Sequence, residues 1–338
     1  MPPAPTSATV ATGARLAPEM MCLPFKITLG NMLWCVEHGA DTLVYVSGDW
    51  SCRFGYYGRL QAAILRDLGF RFNVIELRRN NLRELGRQLL LLSEGRPARA
   101  LILSLRALHL GWQKSVTIEL AEALSRRFTP LVRDPKRCRL LLGHIYNLTQ
   151  SISSPHRLRL LRKRLPGWFA SLERGTYCEV LRIKLVGESY CTIDPFVNFD
   201  IVRRLGEMGV EVHPFLTAHR WLGFHGARLG RTVVKRVKAA AQAYWRYCVG
   251  GEDENSIGHM VEAARQGFDG VIHIHPFACM PSTVVQPAMA KVSCDYDLPF
   301  LSLSVDEHTA ESGFLTRIEA FVSLLRKRRE RRRLAVVA

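Results

Sequence analysis

Three cysteines of this chain share a setting that could give their thiols chemistry. Cys22 comes just before the first predicted helix, and both Cys52 and Cys279 lie between a predicted strand and the helix that follows it. The N-terminus of a helix carries partial positive charge, which lowers the pKa of a thiol and favours the thiolate. Lys26 and Arg53 lie near two of these cysteines and add positive charge. Thiolates bind zinc and iron–sulfur clusters, so the sequence offers three candidate metal ligands.

The spacing of the cysteines does not by itself decide between a metal site and structural thiols. The nine cysteines include no Cys-x-x-Cys pair, and thiols dispersed over a chain of 338 residues are most often small buried hydrophobes. Their odd number and the lack of a basic, apolar N-terminal segment typical of a secretion signal argue against a disulfide framework. We therefore expect a cytoplasmic protein in a reducing compartment.

Strands and helices that alternate along the chain place these cysteines in loops. The predicted strands read "DTLVYVSG", "RFNVIEL", "VLRIKLVGE", "VEVHPF", "DGVIHIH" and "PFLSLSV". Helices are predicted at 28–38, 58–68, 81–92, 99–127, 133–174, 197–208, 231–247, 256–266, 282–291 and 313–327. Such alternation builds parallel sheets that bind ligands at the carboxyl ends of their strands. Cys52 and Cys279 could then meet in one crevice although they are far apart in sequence.

A long helical stretch between two groups of strands predicts two domains. The fold class we infer is α/β, with two Rossmann-like doubly wound parallel-sheet domains joined by a helical bridge and a site in the cleft between them. The boundaries are a disordered tail at 1–19, a first α/β domain at 20–150, a basic helical bridge at 151–178, a second α/β domain at 179–327 and a basic tail at 328–338. We expect the basic tail to be solvated rather than docked.

The chain carries a large excess of positive charge. Lys and Arg number 47 against 30 Asp and Glu, which gives a formal net charge of +17. A basic run is most often a solvated face, and an acidic partner or a phosphorylated ligand would also fit it. A nucleic-acid surface would need aromatic residues among the cations or a known binding module. The sequence contains neither, so nucleic acid is not expected as a partner.

Several other classes of function lack their sequence signals. The apolar runs fall short of the roughly 18 to 20 residues that a membrane span needs, so no membrane association is expected. The phosphate-binding patterns G-x-G-x-x-G and G-x-x-x-x-G-K-S/T are absent, as is the zinc-protease pattern H-E-x-x-H. We therefore expect no ATP site on this chain.

Six blocks of sequence, which together span most of residues 20–327, carry a family resemblance. They are "CLPFKITLGN", "GADTLVYVSG", "CRFGYYGRLQ", "GESYCTIDPFVNFDI", "GFDGVIHIHPFACMPS" and "PFLSLSVDEHTAESGFLTRIEAFVSLL". In this order they resemble the activase-related proteins of the 2-hydroxyacyl-CoA dehydratase group, a family akin to the dehydratase subunit that carries an iron–sulfur cluster.

The resemblance implies a cofactor and a partner. The cofactor is a 4Fe–4S cluster, and the partner is a separate ATPase activase of the actin-like fold that supplies low-potential electrons. In the related dehydratases these electrons support radical removal of water from a 2-hydroxyacyl-CoA. An acyl-CoA substrate and a homologous cluster-carrying subunit are implied as well.

The same resemblance implies which cysteines are ligands. Cys22, Cys52 and Cys279 match the cysteine blocks of the family, and three thiolates leave one iron open for water, sulfide or substrate. The other six cysteines are expected to be core residues: Cys35, Cys138, Cys178, Cys191, Cys248 and Cys294.

Residues beside Cys52 are interpreted as parts of the cluster site. Gly55 and Gly58 would let the backbone approach inorganic sulfide, whose charge backbone amides can stabilise. Tyr56 and Tyr57 would pack over the site. His273 and His275 alternate along one predicted strand and share a face, for which packing is favoured over chemistry.

Two interpretations remain open for the charged residues near the six quoted blocks. Lys26 and Arg53 could bind a phosphate or offset the charge of the cluster, or each could pair with a carboxylate. Asp306, Glu307 and His308 end a strand, where an acid–base role competes with a hydrogen-bond network at the start of a helix.

Two functions from different classes are consistent with these observations. The first is an iron–sulfur protein for electron transfer or radical dehydration. The rival is a module without a cluster, whose basic surface binds acyl-CoA or an acidic protein.

Overall fold

The computed structural model describes residues 1–48, 52–78, 86, 97–175, 179–225 and 230–337. Most of the helix predicted at 81–92 and the predicted core residue Cys178 lie outside the described residues. No helix in the described part of the chain is long and apolar enough to cross a membrane.

A small parallel sheet forms the first half of the fold. Its described strands are β1 (Thr42–Ser47) and β2 (Asn73–Arg78), which pair in parallel. The helices around them are α1 (Ser7–Leu16), α2 (Leu23–Glu37) and α3 (Tyr57–Asp67). A short 3₁₀ helix, Arg53–Tyr56, leads into α3. Most buried apolar side chains of α2, β1 and α3 form one apolar cluster, whereas Val10, Leu23 and Ile27 pack in a cluster of the second half.

The predicted disorder of residues 1–19 is wrong, because α1 packs closely against α2. Thr6 caps α1 in a reciprocal hydrogen-bond arrangement with Thr9. A Cβ atom added to Gly13 would stand 1.7 Å from the carbonyl oxygen of Lys26, so the two helix backbones touch at this point. The sequence signal was a glycine in each helix at the crossing, Gly13 and Gly30, which permits close approach of backbones.

Three described helices separate the two groups of strands, and the last of them lies within the bridge predicted at 151–178. They are α4 (Pro97–Phe128), α5 (Pro135–Ser151) and α6 (Pro155–Ala170). Apolar residues at helical spacing on α6, Leu158, Leu161 and Leu165, are buried, and the opposite face carries the basic residues. This is the amphipathic pattern expected for a surface helix.

The second half contains a parallel sheet of four strands in the order β4–β3–β5–β6. The strands are β3 (Leu181–Gly187), β4 (Val210–Pro214), β5 (Gly270–Pro276) and β6 (Phe300–Val305). The helices of this half are α7 (Ser189–Ile193), α8 (Ile201–Glu207), α9 (Ala218–His225), α10 (Arg231–Ala241), α11 (Asp253–Arg265), α12 (Met280–Val284), α13 (Gln286–Tyr296) and α14 (Glu311–Val337). Two apolar clusters, one on each face, bury the sheet. The near-continuous apolar strands predicted from sequence are typical of such a sheet.

The order of the strands reverses between β3 and β5. From β3 the chain first adds β4 on one side, and then returns to add β5 and β6 on the other side. Loops leave the two adjacent strands in opposite directions at such a point and open a crevice, which is where ligands bind in open α/β sheets. The loops in question follow Gly187 and Pro276.

The basic tail is docked, which corrects the expectation that it is solvated. It is the last part of α14, and its arginines pair with carboxylates on the sheet half of the molecule. Arg328 and Arg332 bind Asp297 at 2.5 and 2.6 Å, and Arg329 binds Asp269 at 3.1 Å. The prediction of an α/β fold with parallel sheets is confirmed, and the described sheets have two and four strands.

Candidate metal centre

Each of the three candidate ligand cysteines occupies the residue that precedes a helix. Cys22 precedes α2, Cys52 precedes the 3₁₀ helix Arg53–Tyr56, and Cys279 precedes α12. None of the three side chains makes a capping hydrogen bond to its own helix. The sulfur atoms therefore lie beside the N-termini of three helices.

Unusual backbone conformations occur just before two of these cysteines. Met20 and Ala278 both have φ of 60°, in the left-handed region. Residues other than glycine adopt this region at a cost of about 1–3 kcal/mol, and such residues concentrate at functional sites. The backbone is therefore strained close to Cys22 and Cys279.

The three thiols lie in one neighbourhood, because their charges act on one another's pKa values. Burial, and then the negative charges of Cys279 and Cys52, raise the pKa of Cys22 to about 11, against the effect of the Tyr57 hydroxyl. The pKa of Cys52 is raised by burial and by the charge of Cys279. Burial likewise raises the pKa of Cys279. The expectation of lowered thiol pKa values is wrong for the metal-free protein, because loss of hydration outweighs the favourable helix termini.

The separation of the sulfurs bears on the kind of metal group they could hold. Among the described residues, the three thiols are not a group whose ligand atoms all lie within 4.8 Å of one another, so at least one pair is farther apart. Around a single tetrahedral zinc, bonds of about 2.3 Å place sulfurs about 3.8 Å apart. Around a four-iron cluster they lie about 6 to 7 Å apart. The separation of at least one pair of sulfurs by more than 4.8 Å is compatible with a cluster.

Tyr57 is in hydrogen-bond contact with Cys22 through its hydroxyl group. It is the first residue of α3, and its side chain is 5% exposed. Its ring meets that of Phe25 edge to face, with centroids 5.0 Å apart. Burial, and then the charge of Cys22, raise the pKa of Tyr57 well above its ordinary value. At neutral pH the hydroxyl therefore keeps its proton and can donate a hydrogen bond to a sulfur.

Glu188 brings a carboxylate to the same place from the end of β3. Its Oε2 accepts a hydrogen bond of 2.8 Å from the backbone N–H of Cys191. Its negative charge raises the pKa of Cys22, Cys52 and Cys279, and burial raises its own pKa. Four groups that carry negative charge when ionised thus face one another at the crevice between β3 and β5. Such a set is stable only when protonated or when neutralised by cations.

The loop before α12 is held by local contacts. Cys279 Sγ lies 3.3 Å from the hydroxyl oxygen of Ser282, to which it donates a hydrogen bond. A Cβ on Gly251 would meet the ring of Pro281 at 3.2 Å, so the glycine pair that starts at Gly250 packs beside this loop. The Ser189 hydroxyl donates to the carboxylate of the adjacent Glu252. These contacts fix the cysteine loop against the end of β3.

The two candidate cationic residues take different positions. Lys26 pairs with Glu307, and the side chains of the two are 13% and 20% exposed. Of the two interpretations given for Lys26, pairing with a carboxylate is the one found. Arg53 donates to the carbonyl oxygen of Met20 at 3.3 Å, and its charge lowers the pKa of both Cys52 and Cys279. Arg53 therefore supplies positive charge to the thiols.

Three other proposed site residues differ in their roles. Gly55 is buried in the 3₁₀ helix. A Cβ on Gly58 would stand 2.1 Å from the ring of Tyr45, so this glycine makes room for an aromatic side chain rather than for a cluster, and that interpretation is wrong. Tyr56 is 60% exposed and does not pack over the thiols. Its neighbour Tyr57 does so instead.

The remaining cysteines divide by burial. Cys138 and Cys191 are buried, as predicted, and Cys35 is half-buried against the apolar cluster of the first half. Cys248 and Cys294 are exposed, so their placement in the core is wrong. Both lie toward the ends of polar segments, where the apolar periodicity that marks a core position is weak.

The two histidines of β5 pack in the core. His273 is fully buried and His275 nearly so, and their rings lie 4.9 Å apart. His273 Nδ1 is 3.0 Å from the Ser302 hydroxyl, and His275 Nε2 is 3.1 Å from the Gln286 amide nitrogen. Burial, then the neighbouring His275, lowers the pKa of His273 to about 3. The packing interpretation of this pair is confirmed.

The acidic residues after β6 form the predicted network at the start of a helix. Asp306 Oδ1 accepts hydrogen bonds from the His308 backbone N–H at 3.0 Å and from the Thr309 hydroxyl at 2.8 Å. Glu307 is engaged with Lys26. Asp306 and Glu307 therefore stabilise the chain between β6 and the following helix.

One further cluster of metal-type ligands was not singled out by the sequence. Ligand atoms of Cys248, Asp253 and Glu254 lie within 4.8 Å of one another. Asp253 already accepts hydrogen bonds from the Trp245 indole at 3.0 Å and from a backbone N–H, and Glu254 pairs with Lys238 at 2.6 Å. These hydrogen bonds and this ion pair account for the proximity of the three side chains.

The sequence did not identify Glu188 as a member of the site. The signal for Glu188 was its place directly after a glycine that ends a buried strand, in "GES". Neither a scan against protein-family models nor a search of curated proteins finds a match to this chain. The case for a function therefore rests on the site itself.

Proposed function

We propose that the protein is an iron–sulfur protein whose 4Fe–4S cluster is bound by Cys22, Cys52 and Cys279. Three half-buried thiols that come from three separate helix N-termini, and whose charges act on one another, carry this proposal. These thiols come from loops that are distant in sequence, so their convergence is not a consequence of local structure.

The donor set fits the cluster in kind and in charge. The sulfurs belong to thiols whose mutual repulsion a cationic iron core would relieve. Backbone N–H groups at the three helix N-termini can donate to sulfide, and Arg53 adds positive charge. When bound, the cluster would supply one-electron transfer at low potential. Three thiols would leave one iron open, and the charge of Glu188 acts on all three thiols.

The partner and the reaction follow from the family resemblance. An ATPase activase of the actin-like fold would deliver electrons, since the chain has no phosphate-binding pattern of its own. The electrons would serve electron transfer or the radical dehydration or reduction of an acyl-CoA, alone or with a homologous cluster-carrying subunit, in the cytoplasm. In this proposal the two sheets belong to two Rossmann-like domains, and the cluster lies between them.

Anaerobic purification tests the proposal directly. The wild-type protein should be brown and contain about four iron atoms and four acid-labile sulfides per chain. Cys22→Ala, Cys52→Ala and Cys279→Ala should each lose most of the iron and the visible absorption. Cys294→Ala is the matched control, because Cys294 is exposed and lies inside α13 rather than before a helix, and it should retain both. A colourless wild-type protein after reconstitution with iron and sulfide would disprove the proposal.

One observation favours the rival function, an acyl-CoA binding module without a cluster. A cavity of about 380 Å³ lies beyond the end of β4, within the size range of small-molecule sites. Its apolar lining comes from Phe215, Leu216, Phe224, Val233, Val234 and Val237. Lys238 and His259 add polar groups to the wall.

Calorimetry on metal-free protein separates the two functions. Under the rival function, metal-free protein binds butyryl-CoA, and Val237→Trp, which fills the cavity, abolishes the binding. Binding that requires reconstituted iron would instead support the cluster.

A further inference from the structure

We propose that Tyr57 is a positioning residue of the cluster site, whose hydroxyl donates a hydrogen bond to Cys22 Sγ and thereby raises the reduction potential of the cluster. This inference rests on the proposed function. It adds a residue that touches a ligand sulfur without being a ligand.

The position of the hydroxyl is fixed by packing of the ring. Tyr57 is 5% exposed, and Phe25, which is fully buried, meets it edge to face at 5.0 Å with an interplanar angle of 88°. Phe54 covers it from another side at 5.3 Å. An aromatic side chain enclosed in this way has few alternative rotamers, so its hydroxyl stays on Cys22.

One side chain therefore sets the relative position of two ligand loops. Tyr57 belongs to the helix that follows Cys52, whereas the sulfur it contacts belongs to the residue before α2. Groups that hydrogen-bond to metal ligands orient those ligands, and replacing them typically lowers metal affinity by about 10- to 100-fold.

The effect on potential has a definite sign. Hydrogen bonds to the sulfurs are among the factors that set the potential of a cluster. Reduction adds one electron, and part of the added negative charge resides on sulfur. An O–H donor stabilises that charge, so the reduced form gains more from Tyr57 than the oxidised form. Removal of the hydroxyl should lower the potential.

Tyr57→Phe removes only the hydroxyl oxygen, and Tyr56→Phe is the matched control because Tyr56 is 60% exposed. Both variants and the wild type are reconstituted anaerobically with ferrous iron and sulfide. The midpoint potential is then measured by titration with dithionite in the presence of mediator dyes. Tyr57→Phe should shift the midpoint to lower potential and lose iron to a chelator about 10-fold faster. Tyr56→Phe should match the wild type in both measurements.

A second variant distinguishes the hydrogen bond from a loss of packing. Fluorotyrosine incorporated at position 57 keeps the ring and makes the hydroxyl a stronger donor, so it should shift the midpoint to higher potential, opposite to Tyr57→Phe. A merely structural role of the ring would not produce shifts of opposite sign. Equal midpoints in all three proteins would overturn the inference while leaving the cluster assignment intact. A wild-type protein that binds no iron would overturn both.

Discussion

The backbone of Gly187 lies against the carbonyl oxygen of Ile274, so closely that a Cβ on residue 187 would stand 1.9 Å from that oxygen. Gly187 also has φ of +135°, which residues with a side chain rarely adopt. This contact joins the ends of β3 and β5, next to Glu188 and near the loop of Cys279. The crevice between β3 and β5 therefore requires a residue without a Cβ atom at position 187.

Gly187→Ala should destabilise the protein by about 3 kcal/mol or more, because it combines a steric clash with an unfavourable φ. Urea unfolding monitored by circular dichroism would measure this. Gly143→Ala is the control, since Gly143 lies in α5 with no atom within 4 Å of the added Cβ. It should stabilise the protein by about 0.5–1 kcal/mol, as alanine does in helices. Equal stability of wild type and Gly187→Ala would contradict the reported contact.

The pair of Lys26 and Glu307 should join α2 to the end of β6. Glu307→Gln leaves the largely buried ammonium group without its charged partner, so we expect a loss of about 1–3 kcal/mol in the free energy of unfolding. A double-mutant cycle with Lys26→Met measures the coupling. His308→Gln, at an adjacent exposed side chain, should have little effect. A coupling free energy near zero would show that the pair does not hold these elements together.

The buried histidines should make stability depend on pH. Burial holds the pKa of His273 at about 3, below its ordinary 6.5, and also lowers that of His275. Between these values the unfolded chain binds a proton that the folded chain does not, so the free energy of unfolding falls as pH decreases. The slope is up to about 1.4 kcal/mol per pH unit for each histidine.

Urea unfolding at intervals from pH 7 to pH 4 measures that slope. His273→Gln should reduce it relative to wild type, and His273→Gln combined with His275→Gln should reduce it further. Slopes that are the same in all three proteins would show that neither histidine is held neutral by the fold.

Docking of the basic end of α14 should be measurable as stability. Arg329→Ala removes the ion pair with Asp269 and a hydrogen bond of 2.9 Å to the Val180 carbonyl oxygen, both partly buried. We expect a loss of about 1 kcal/mol in the thermal unfolding free energy. Arg331→Ala, at an exposed position on the same helix, is the control and should be neutral. If deletion of residues 328–337 left the stability unchanged, the observed pairs would contribute nothing.

Much of the fold could be read from the sequence because it depends on local patterns. All six predicted strands are present. The apolar runs of β3 to β6 are typical of a parallel sheet that is covered on both faces. Disorder was wrongly predicted for residues 1–19 because composition does not reveal that Gly13 and Gly30 allow two helices to touch. The arginines of α14 were wrongly expected to be solvated, because their carboxylate partners lie elsewhere in the chain.

The sequence by itself determined that Cys22, Cys52 and Cys279 each precede a helix, because the start of a helix is set by short-range pattern. Only the tertiary structure decided which groups surround them. Tyr56 and Tyr57 are neighbours of one chemical type, yet packing against α2 buries one and leaves the other exposed. Glu188 reaches the thiols because β3 pairs with β5, and burial reverses the direction of the thiol pKa shifts expected from helix termini alone. Burial and long-range pairing arise between elements distant in sequence, so no local pattern could specify them.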